Sequence, residues 1–383
     1  MDSALERWGL VAALALARAA FGFQFQSAAT LGPELTQAFG LDYASLGTLI
    51  GLYLAPGIFV ALPGGLLGRR FGERYVLGGG LLLMTVGAFV SAAAPGPVLI
   101  GVGRAVAGAG AVMLVVLQGK LASDRFQGAR FTLVMSLLVG AFPVGVGLCG
   151  LLHASLARLW GWHSVLAAGG AISGVALLLF AASFRAGPPR AASWSLPNSR
   201  ESASSAIAGL SWTAYNAGYY GFLSYLPLLM ATEGHKPSLS AIVLTFATWL
   251  NLPTMVIGGA LAGRHARAVL VVGTIAMGIA VAGPALADVP ILWGLVFGTL
   301  AALHPGVIVA LGTLSARPEH RAAGMGIFYT VYYAGSAVIP AVCGYAADLA
   351  GTPKAALLTA AALSLTTLPF WWLHRRYGVV FKA

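Results

Sequence analysis

Long apolar segments separated by short polar turns repeat along the chain from Trp8 to Leu373. A segment of about 20 apolar residues is long enough to cross a bilayer as a helix. The stretch VLGGGLLLMTVGAFVSAAA lacks the strict alternation of a barrel strand. The pattern therefore predicts an all-α polytopic membrane protein with twelve transmembrane helices, at residues 8–31, 44–67, 75–94, 97–119, 131–152, 163–184, 206–231, 239–262, 268–287, 290–313, 324–347 and 355–374.

Composition supports this class and excludes several others. The chain has 383 residues, of which 58% are hydrophobic and 9% charged, whereas soluble domains carry about 25% charged residues. Cys149 and Cys343 lie inside apolar segments, which predicts small core residues and neither a disulfide nor a metal site. No Ser/His/Asp grouping and no nucleotide-binding loop is visible. We therefore expect that the protein is not an enzyme and that it uses no cofactor and no bound metal.

The basic residues predict the orientation of the chain in the membrane. Net charge is +11, and of the 22 Lys and Arg residues only Arg158, Lys236 and Lys354 fall in loops opposite the two termini. Arg18 and Arg104 lie inside spans, and all the others are on the side of the termini. Because Lys and Arg concentrate on the cytoplasmic side, both termini are predicted to be cytoplasmic in a bacterial inner membrane. We therefore expect lipid contact and no nucleic-acid partner.

The predicted spans divide into two related sets of six. The polar stretch RAGPPRAASWSLPNSRESASS predicts a cytoplasmic linker at 185–205, between bundles at 1–184 and 206–383. GLLGRRFGERYVL begins at residue 65, and the similar GALAGRHARAVL begins at residue 259, an offset of 194. Two pseudo-symmetric six-helix bundles are typical of secondary transporters with a central site.

Two motifs resemble those of the major facilitator superfamily. GLLGRRFGER is similar to the family's loop motif, with Gly65, Arg70, Gly72 and Arg74 matching, but Arg69 stands where the family has an acid. GRAVAGAGA resembles the family's helix-four motif at Arg104, Gly108 and Gly110, and GAFPVGVGLCG, with Pro143, is a looser relative of its helix-five motif. The resemblance implies that these residues support conformational change. In the family, the acid of the loop motif helps to hold the two halves together by charge pairing. The resemblance therefore implies that any such contact between the halves differs here.

FQFQSAATLGPEL followed by LPGGLLGRRFG is similar to the cyanate and nitrate/nitrite permease-like branches of that superfamily. The nitrate porters carry substrate arginines in helices two and eight. The predicted spans 44–67 and 239–262 contain no arginine, so the resemblance does not extend to a nitrate site.

Arg18 is the first candidate for substrate binding. An arginine at the bilayer centre costs about 2.5–3.5 kcal/mol on insertion scales, and such residues usually face the interior of the bundle. Gly22 and Phe25 share its helix face, with Gln26 at the margin. All eleven acidic residues lie outside the spans or near their ends, so no mid-membrane carboxylate neutralises Arg18. A small anion is an obvious partner. The alternative is an arginine held by backbone carbonyls, and for Arg104 that alternative is favoured.

Further candidates lie in spans seven, ten and eleven. Tyr215 and Tyr219, like Tyr329 and Tyr333, are spaced four residues apart on one helix face, and Asn216 lies beside the first pair. Packing in an aromatic belt is the competing interpretation. His304 is a possible proton carrier, but a neutral hydrogen-bonding residue next to Pro305 is favoured.

The sequence therefore predicts a secondary transporter for a small anion, organic or inorganic, that works as a monomer by alternating access. Without a mid-membrane carboxylate, exchange or facilitated transport is expected. The alternative is efflux of a neutral or amphipathic compound, with Arg18 and Arg104 structural and the Phe and Tyr residues selecting the cargo.

The predicted topology can be tested by cysteine labelling in intact cells. Cysteines at Ser195 and near Ala383 should resist a membrane-impermeant maleimide, because both positions are predicted to be cytoplasmic. A cysteine at Ser238 should react. The reverse pattern would overturn the orientation.

Overall fold

The computed structural model describes residues 4–184 and 196–379, with all their side chains except those of 4–7, 64–69, 123–124, 128–129 and 132. The predicted motif residues Gly65 and Arg69 fall among these exceptions. Most of the predicted linker, 185–195, also lies outside the described residues. Its last seven residues, 199–205, do not form a linker, because they are the first two turns of a helix. Asn198 begins that helix with a capping box in which its side chain bonds the N–H of Glu201.

The described residues are helical and contain no strand. The N-terminal half contains α1 (Ala4–Thr30), α2 (Gly32–Phe39), α3 (Tyr43–Leu52), α4 (Gly57–Phe71), α5 (Glu73–Ala92), α6 (Pro97–Arg125), α7 (Gly128–Trp160) and α8 (His163–Ser183). The C-terminal half contains α9 (Ser199–Thr232), α10 (Pro237–Trp249), α11 (Asn251–Leu286), α12 (Pro290–Leu300), α13 (Pro305–Leu314), α14 (Arg321–Ala350), α15 (Pro353–Leu365) and α16 (Thr367–Tyr377). The all-α prediction is confirmed.

Several predicted spans are built from two helices. The second span is α3 and α4, interrupted at residues 53–56, and the tenth is α12 and α13, interrupted at residues 301–304. Pro56 and Pro305 stand at these breaks, where a residue without an N–H cannot continue the hydrogen-bond ladder. Ten stretches among the described residues are long and apolar enough to cross a membrane. One of them, Pro237–Leu286, is 50 residues long and turns at His265, so it supplies two passages. The more polar α9 is long enough to be a further passage.

The two halves pack along three seams: α1 with α9, α3 and α4 with α14, and α7 with α10. Trp8, Phe126 and Phe184 mark the side of the membrane that holds the termini, here called the terminal face. Tyr43 and Asp348 mark the opposite side, the distal face. Hydrogen bonds that join the halves lie toward the distal face: Gln26 donates to the Leu223 carbonyl at 3.0 Å, and the N–H of Tyr43 donates to Asp348 at 2.9 Å.

At the terminal face the halves are packed less closely. Among the described residues, neither α6 nor α7 packs extensively against α13. Arg18, Phe142 and Tyr329 are partly exposed where α1, α7 and α14 face one another. The hydrogen bonds between the halves therefore lie toward the distal face. Toward the terminal face α4 still touches α14 at Leu62 and Gly326, and the partly exposed region between α1, α7 and α14 is here called the cleft.

Candidate functional site

Arg18 on α1 faces this cleft, and two of its donor atoms are unused. Its Nε and Nη1 are buried and make no hydrogen bond among the described residues, although the residue as a whole is partly exposed. Its guanidinium carbon lies 5.0 Å from the centre of the Phe21 ring and 5.4 Å from that of Phe142. Cation–π contacts of this kind hold a guanidinium in place without satisfying its N–H groups. Donor capacity therefore remains for an anion.

Tyrosines of the C-terminal half complete the surroundings of Arg18. Their phenol groups lie close enough to interact electrostatically with the guanidinium, and the residues concerned are Tyr220, Tyr329, Tyr332 and Tyr333. The Tyr220 and Tyr332 hydroxyls are 2.5 Å apart, and the Phe25 ring lies 4.6 Å from the Tyr220 ring. Among the described residues, two unbonded donor atoms of Arg18 in the N-terminal half thus lie within electrostatic range of hydroxyl-bearing aromatic side chains of the C-terminal half.

Arg104, in contrast, is fully engaged within its own half. It is 2% exposed, and it donates to the carbonyls of Leu49 (2.6 Å), Gln24 (3.1 Å), Ile50 (3.3 Å) and Phe25 (3.4 Å). The break after α3 accounts for the Leu49 contact, because that carbonyl has lost its helical partner. Arg104 thus fastens α1 to α3, which is the structural role that the sequence favoured for it.

The predicted residues of α1 differ in what they contact. A Cβ at Gly22 would overlap the carbonyl oxygen of Phe142, so Gly22 allows α1 and α7 to touch. Phe25 belongs to the aromatic cluster. Gln26 is fully buried at the seam between α1 and α9, where it donates to the Leu223 carbonyl and to the Thr30 hydroxyl.

The predicted residues of α9 and the tenth span lie deeper in the C-terminal half. Asn216 donates to the Trp212 carbonyl at 2.8 Å, and the Tyr219 hydroxyl accepts from Asn251 at 3.1 Å. His304 is fully buried, with its ring centre 5.0 Å from that of Tyr215, and neither ring nitrogen has a partner among the described residues. These residues therefore lie on the far side, seen from Arg18, of the tyrosines that face it.

The glycines of the predicted conformational motifs have clear packing roles. A Cβ at Gly108 would overlap the Tyr53 carbonyl, and one at Gly110 would overlap the Gly80 carbonyl, so both permit α6 to touch its neighbours. Gly72 joins α4 to α5 with φ of 84°, which favours glycine.

The other motif residues are less constrained. Arg70 lies over the Phe71 ring, Arg74 is exposed, and Pro143 is buried inside α7. Nearby, Glu73 pairs with Lys120 of α6.

Several residues of the aromatic cluster were not predicted from the sequence, namely Phe21, Tyr53, Phe142, Trp212 and Tyr332. The spacing of Phe21, three residues after Arg18, was an available signal. No sequence signal linked Phe142 or Tyr332 to Arg18, because the contact depends on how separate helices pack.

One group of described residues brings possible metal ligands together at the distal face. The donor atoms of Glu233, His235 and Asp288 lie within 4.8 Å of one another. Lys354 pairs with Glu233 at 3.0 Å, and His235 already contacts Asp288 at 2.7 Å. These contacts place a cation on the group and use its ligand atoms.

Comparison with known proteins identifies the family. The model of the Major Facilitator Superfamily matches residues 14–264 and 203–380. The chain belongs to the Major Facilitator Superfamily. It is therefore a multi-pass secondary transporter and not an enzyme.

The related proteins belong to a different group of transporters from the cyanate and nitrate/nitrite branches that the sequence suggested. The chain is 28% identical to a 3-(3-hydroxy-phenyl)propionate transporter of Escherichia coli, over 89% of this chain and 87% of that protein. It is 32% identical to the 4-hydroxybenzoate transporter PcaK of Pseudomonas putida, over 37% of this chain and 32% of that protein. Both names describe carriers of aromatic acids, so the predicted likeness to the cyanate and nitrate/nitrite branches is not supported.

Solved structures agree with the fold. A bacterial homolog of the human lysosomal transporter Spinster, inward-facing and occupied, matches with a TM-score of 0.80 and 15% identity over 98% of both chains. The inward-open xylose transporter XylE of Escherichia coli matches with a TM-score of 0.77 and 14% identity over 95% of both. At this identity the likeness concerns the fold alone.

The two arginines should respond differently to truncation. Arg104→Ala removes four hydrogen bonds and leaves the buried Leu49 carbonyl without a donor. An unsatisfied buried group costs about 1–3 kcal/mol, so we expect a clear loss of thermal stability in detergent. Arg18→Ala removes no hydrogen bond to any described residue and should leave the melting temperature unchanged or higher. Equal destabilisation by both variants would contradict this distinction.

Proposed function

We propose that this transporter carries a small aromatic carboxylate and that Arg18 binds the carboxylate group. The single observation behind the proposal is that two buried donor atoms of Arg18, which lies against aromatic side chains, have no hydrogen-bond partner among the described residues. A buried charge without a partner is costly, and a planar guanidinium fits a carboxylate through two parallel bonds. The relatives that carry aromatic acids support the same chemical class.

The aromatic wall suits the remainder of such a substrate. A benzene ring gains from offset or edge-on contact with Phe21, Phe25 and Phe142, beyond the area that it buries. The hydroxyls of Tyr220 and Tyr332 can donate to or accept from a polar group on that ring. Tyr329 and Tyr333 are part of the same proposed site. Arg104 and Gly22 contribute by positioning α1, Arg104 through its bonds to α1 and α3 and Gly22 through close contact with α7.

Binding at this place would link the two halves. Arg18 belongs to α1 of the N-terminal half, whereas Tyr220 and Tyr332 belong to α9 and α14 of the C-terminal half. A substrate held by both sets of residues favours a different relative position of the halves than the empty cleft does, which is what alternating access by a rocking motion requires. By the predicted topology, the cleft opens to the cytoplasm across a bacterial inner membrane.

The test of the proposal is ligand binding by purified protein. Benzoate, 4-hydroxybenzoate and 3-phenylpropionate should raise the melting temperature of the native transporter, and benzamide and cyclohexanecarboxylate should do so much less. Arg18→Gln should abolish the shift for the acids while keeping the fold. Arg18→Lys should restore it poorly, because an ammonium cannot form the two-pronged contact.

Arg104→Lys serves as the control for Arg18→Lys in this experiment, because it makes the same arginine-to-lysine change at the other arginine inside the spans. If Arg18→Gln binds the acids as the native protein does, the anion-ligand proposal is wrong. If benzamide binds as tightly as benzoate, the site selects an uncharged aromatic compound, and the amphipathic-efflux alternative is then favoured.

We also propose that transport proceeds by exchange or facilitated movement. All eleven acidic residues lie at or beyond the ends of the predicted spans, which leaves His304 as the sole titratable side chain near neutrality in the middle of a predicted span. Counterflow in proteoliposomes without a pH gradient or membrane potential should therefore be robust, and it should persist in His304→Gln. Strict dependence on an imposed proton gradient, lost in His304→Gln, would show that the histidine carries the proton.

A further inference from the structure

A carboxylate of the C-terminal half caps a helix of the N-terminal half at the distal face. Asp348, near the end of α14, accepts hydrogen bonds from the backbone N–H of Tyr43 and of Ala44, each at 2.9 Å. Tyr43 and Ala44 are the first two residues of α3. The contact therefore joins the two halves through a side chain on one and backbone atoms on the other.

The N-terminus of α3 is a favourable place for this charge. The first N–H groups of a helix have no partner inside it, and the helix dipole adds positive character there. Asp42 of the same half already accepts the N–H of Ser45 at 2.7 Å, a bond that lowers the pKa of its carboxyl group. The carboxylate of Asp348 accepts hydrogen bonds from the two N–H groups, those of Tyr43 and Ala44, that the Asp42 side chain does not bond.

The rest of this seam is held by direct backbone contact. A Cβ at Gly344 would overlap the Tyr43 carbonyl, and a Cβ at Gly47 would overlap the Pro340 carbonyl. The Tyr225 hydroxyl of α9 donates to the Pro340 carbonyl beside them. No space for a substrate remains between α3 and α14 here, so this seam must separate if the distal face is to open.

The pseudo-symmetric seam between α7 and α10 is built differently. A cavity of about 80 Å³ lies there, lined by residues of both halves that include Glu34, His153, Pro227 and Ser240. The repeat offset pairs Asp348 with Ala154 of α7, which has no carboxylate. Helix α7 therefore has no acid that could cap α10 as Asp348 caps α3.

We infer that Asp348 is a detachable cap of α3 that holds the distal face closed, so that its release from Tyr43 and Ala44 is a required step of distal opening. The inference depends on alternating access between two faces and not on which substrate is carried.

The sharpest test removes one N–H group without removing the helix. Tyr43→Pro deletes a donor to Asp348 at the first helical position, where proline is well tolerated and where the preceding Asp42 is already extended with ψ of 169°. Tyr43→Ala is the matched control, because it loses the same side chain but keeps the N–H. Asp348→Ala removes the acceptor, and Asp288→Asn alters another distal acid that bonds within its own half.

The readout is the rate at which a maleimide labels a buried cysteine in detergent-purified protein. Leu46→Cys, in a Cys149→Ser and Cys343→Ser background, places the thiol one turn into α3 at a fully buried position. Hydrogen bonds to charged groups have energies that correspond to about a tenfold change in an equilibrium constant or more. Tyr43→Pro, which removes one bond, should therefore raise the labelling rate by about tenfold, and Asp348→Ala, which removes both, by at least as much. Tyr43→Ala and Asp288→Asn should not.

The double variant Tyr43→Pro with Asp348→Ala should label no faster than Asp348→Ala alone, because Asp348→Ala already removes the bond that Tyr43→Pro deletes. Equal labelling of Tyr43→Pro and Tyr43→Ala, in protein that elutes as a folded monodisperse species, would overturn the inference. So would an Asp288→Asn effect as large as that of Asp348→Ala. Neither outcome bears on the aromatic-carboxylate proposal, because the labelling assay contains no substrate.

Discussion

A guanidinium enclosed within the membrane needs partners, and this constraint organises the N-terminal half of the transporter. Arg104 finds its partners in four carbonyls of α1 and α3, one of which is left free by the break between α3 and α4. In the part of the chain that the structure describes, Arg18 has aromatic rings around it but no acceptor for Nε and Nη1. One arginine therefore completes the fold, whereas the other leaves donor groups available at the cleft.

The broken helices and the close glycine contacts serve the same arrangement. The interruption at residues 53–56 frees the Leu49 carbonyl for Arg104, and beside it the Tyr53 ring lies 5.6 Å from that of Phe21. Gly108 lets α6 approach that interruption closely enough for Arg104 to reach it. The position of Arg18 therefore rests on a connected set of contacts among α1, α3, α6 and α7.

The seams between the halves combine strong and weak elements. Backbone-to-backbone packing at Gly47 and Gly344 gives close contact without bulky interlocking side chains, so two helices can separate without rotamer changes. The bonds from Tyr43 and Ala44 to Asp348 add a directional, charged contact at the distal end of one seam. A conformational equilibrium can be biased by a few such bonds, because the populations depend exponentially on their energy.

The sequence by itself determined the class, most span positions and the family, because apolar length, glycine motifs and the basic loops are local properties of the chain. It also identified Arg18 as an arginine with no acidic neighbour in the spans. Three features had to come from the tertiary structure: the carbonyl partners of Arg104, the contact of Gly22 with α7, and the cluster that joins Phe142 and Tyr332 to Arg18. Asp348 looked like an ordinary residue at a span end until α14 was placed against α3. Such contacts join residues up to 305 positions apart, and local periodicity fixes which face of a helix is apolar but not which helix will lie against it.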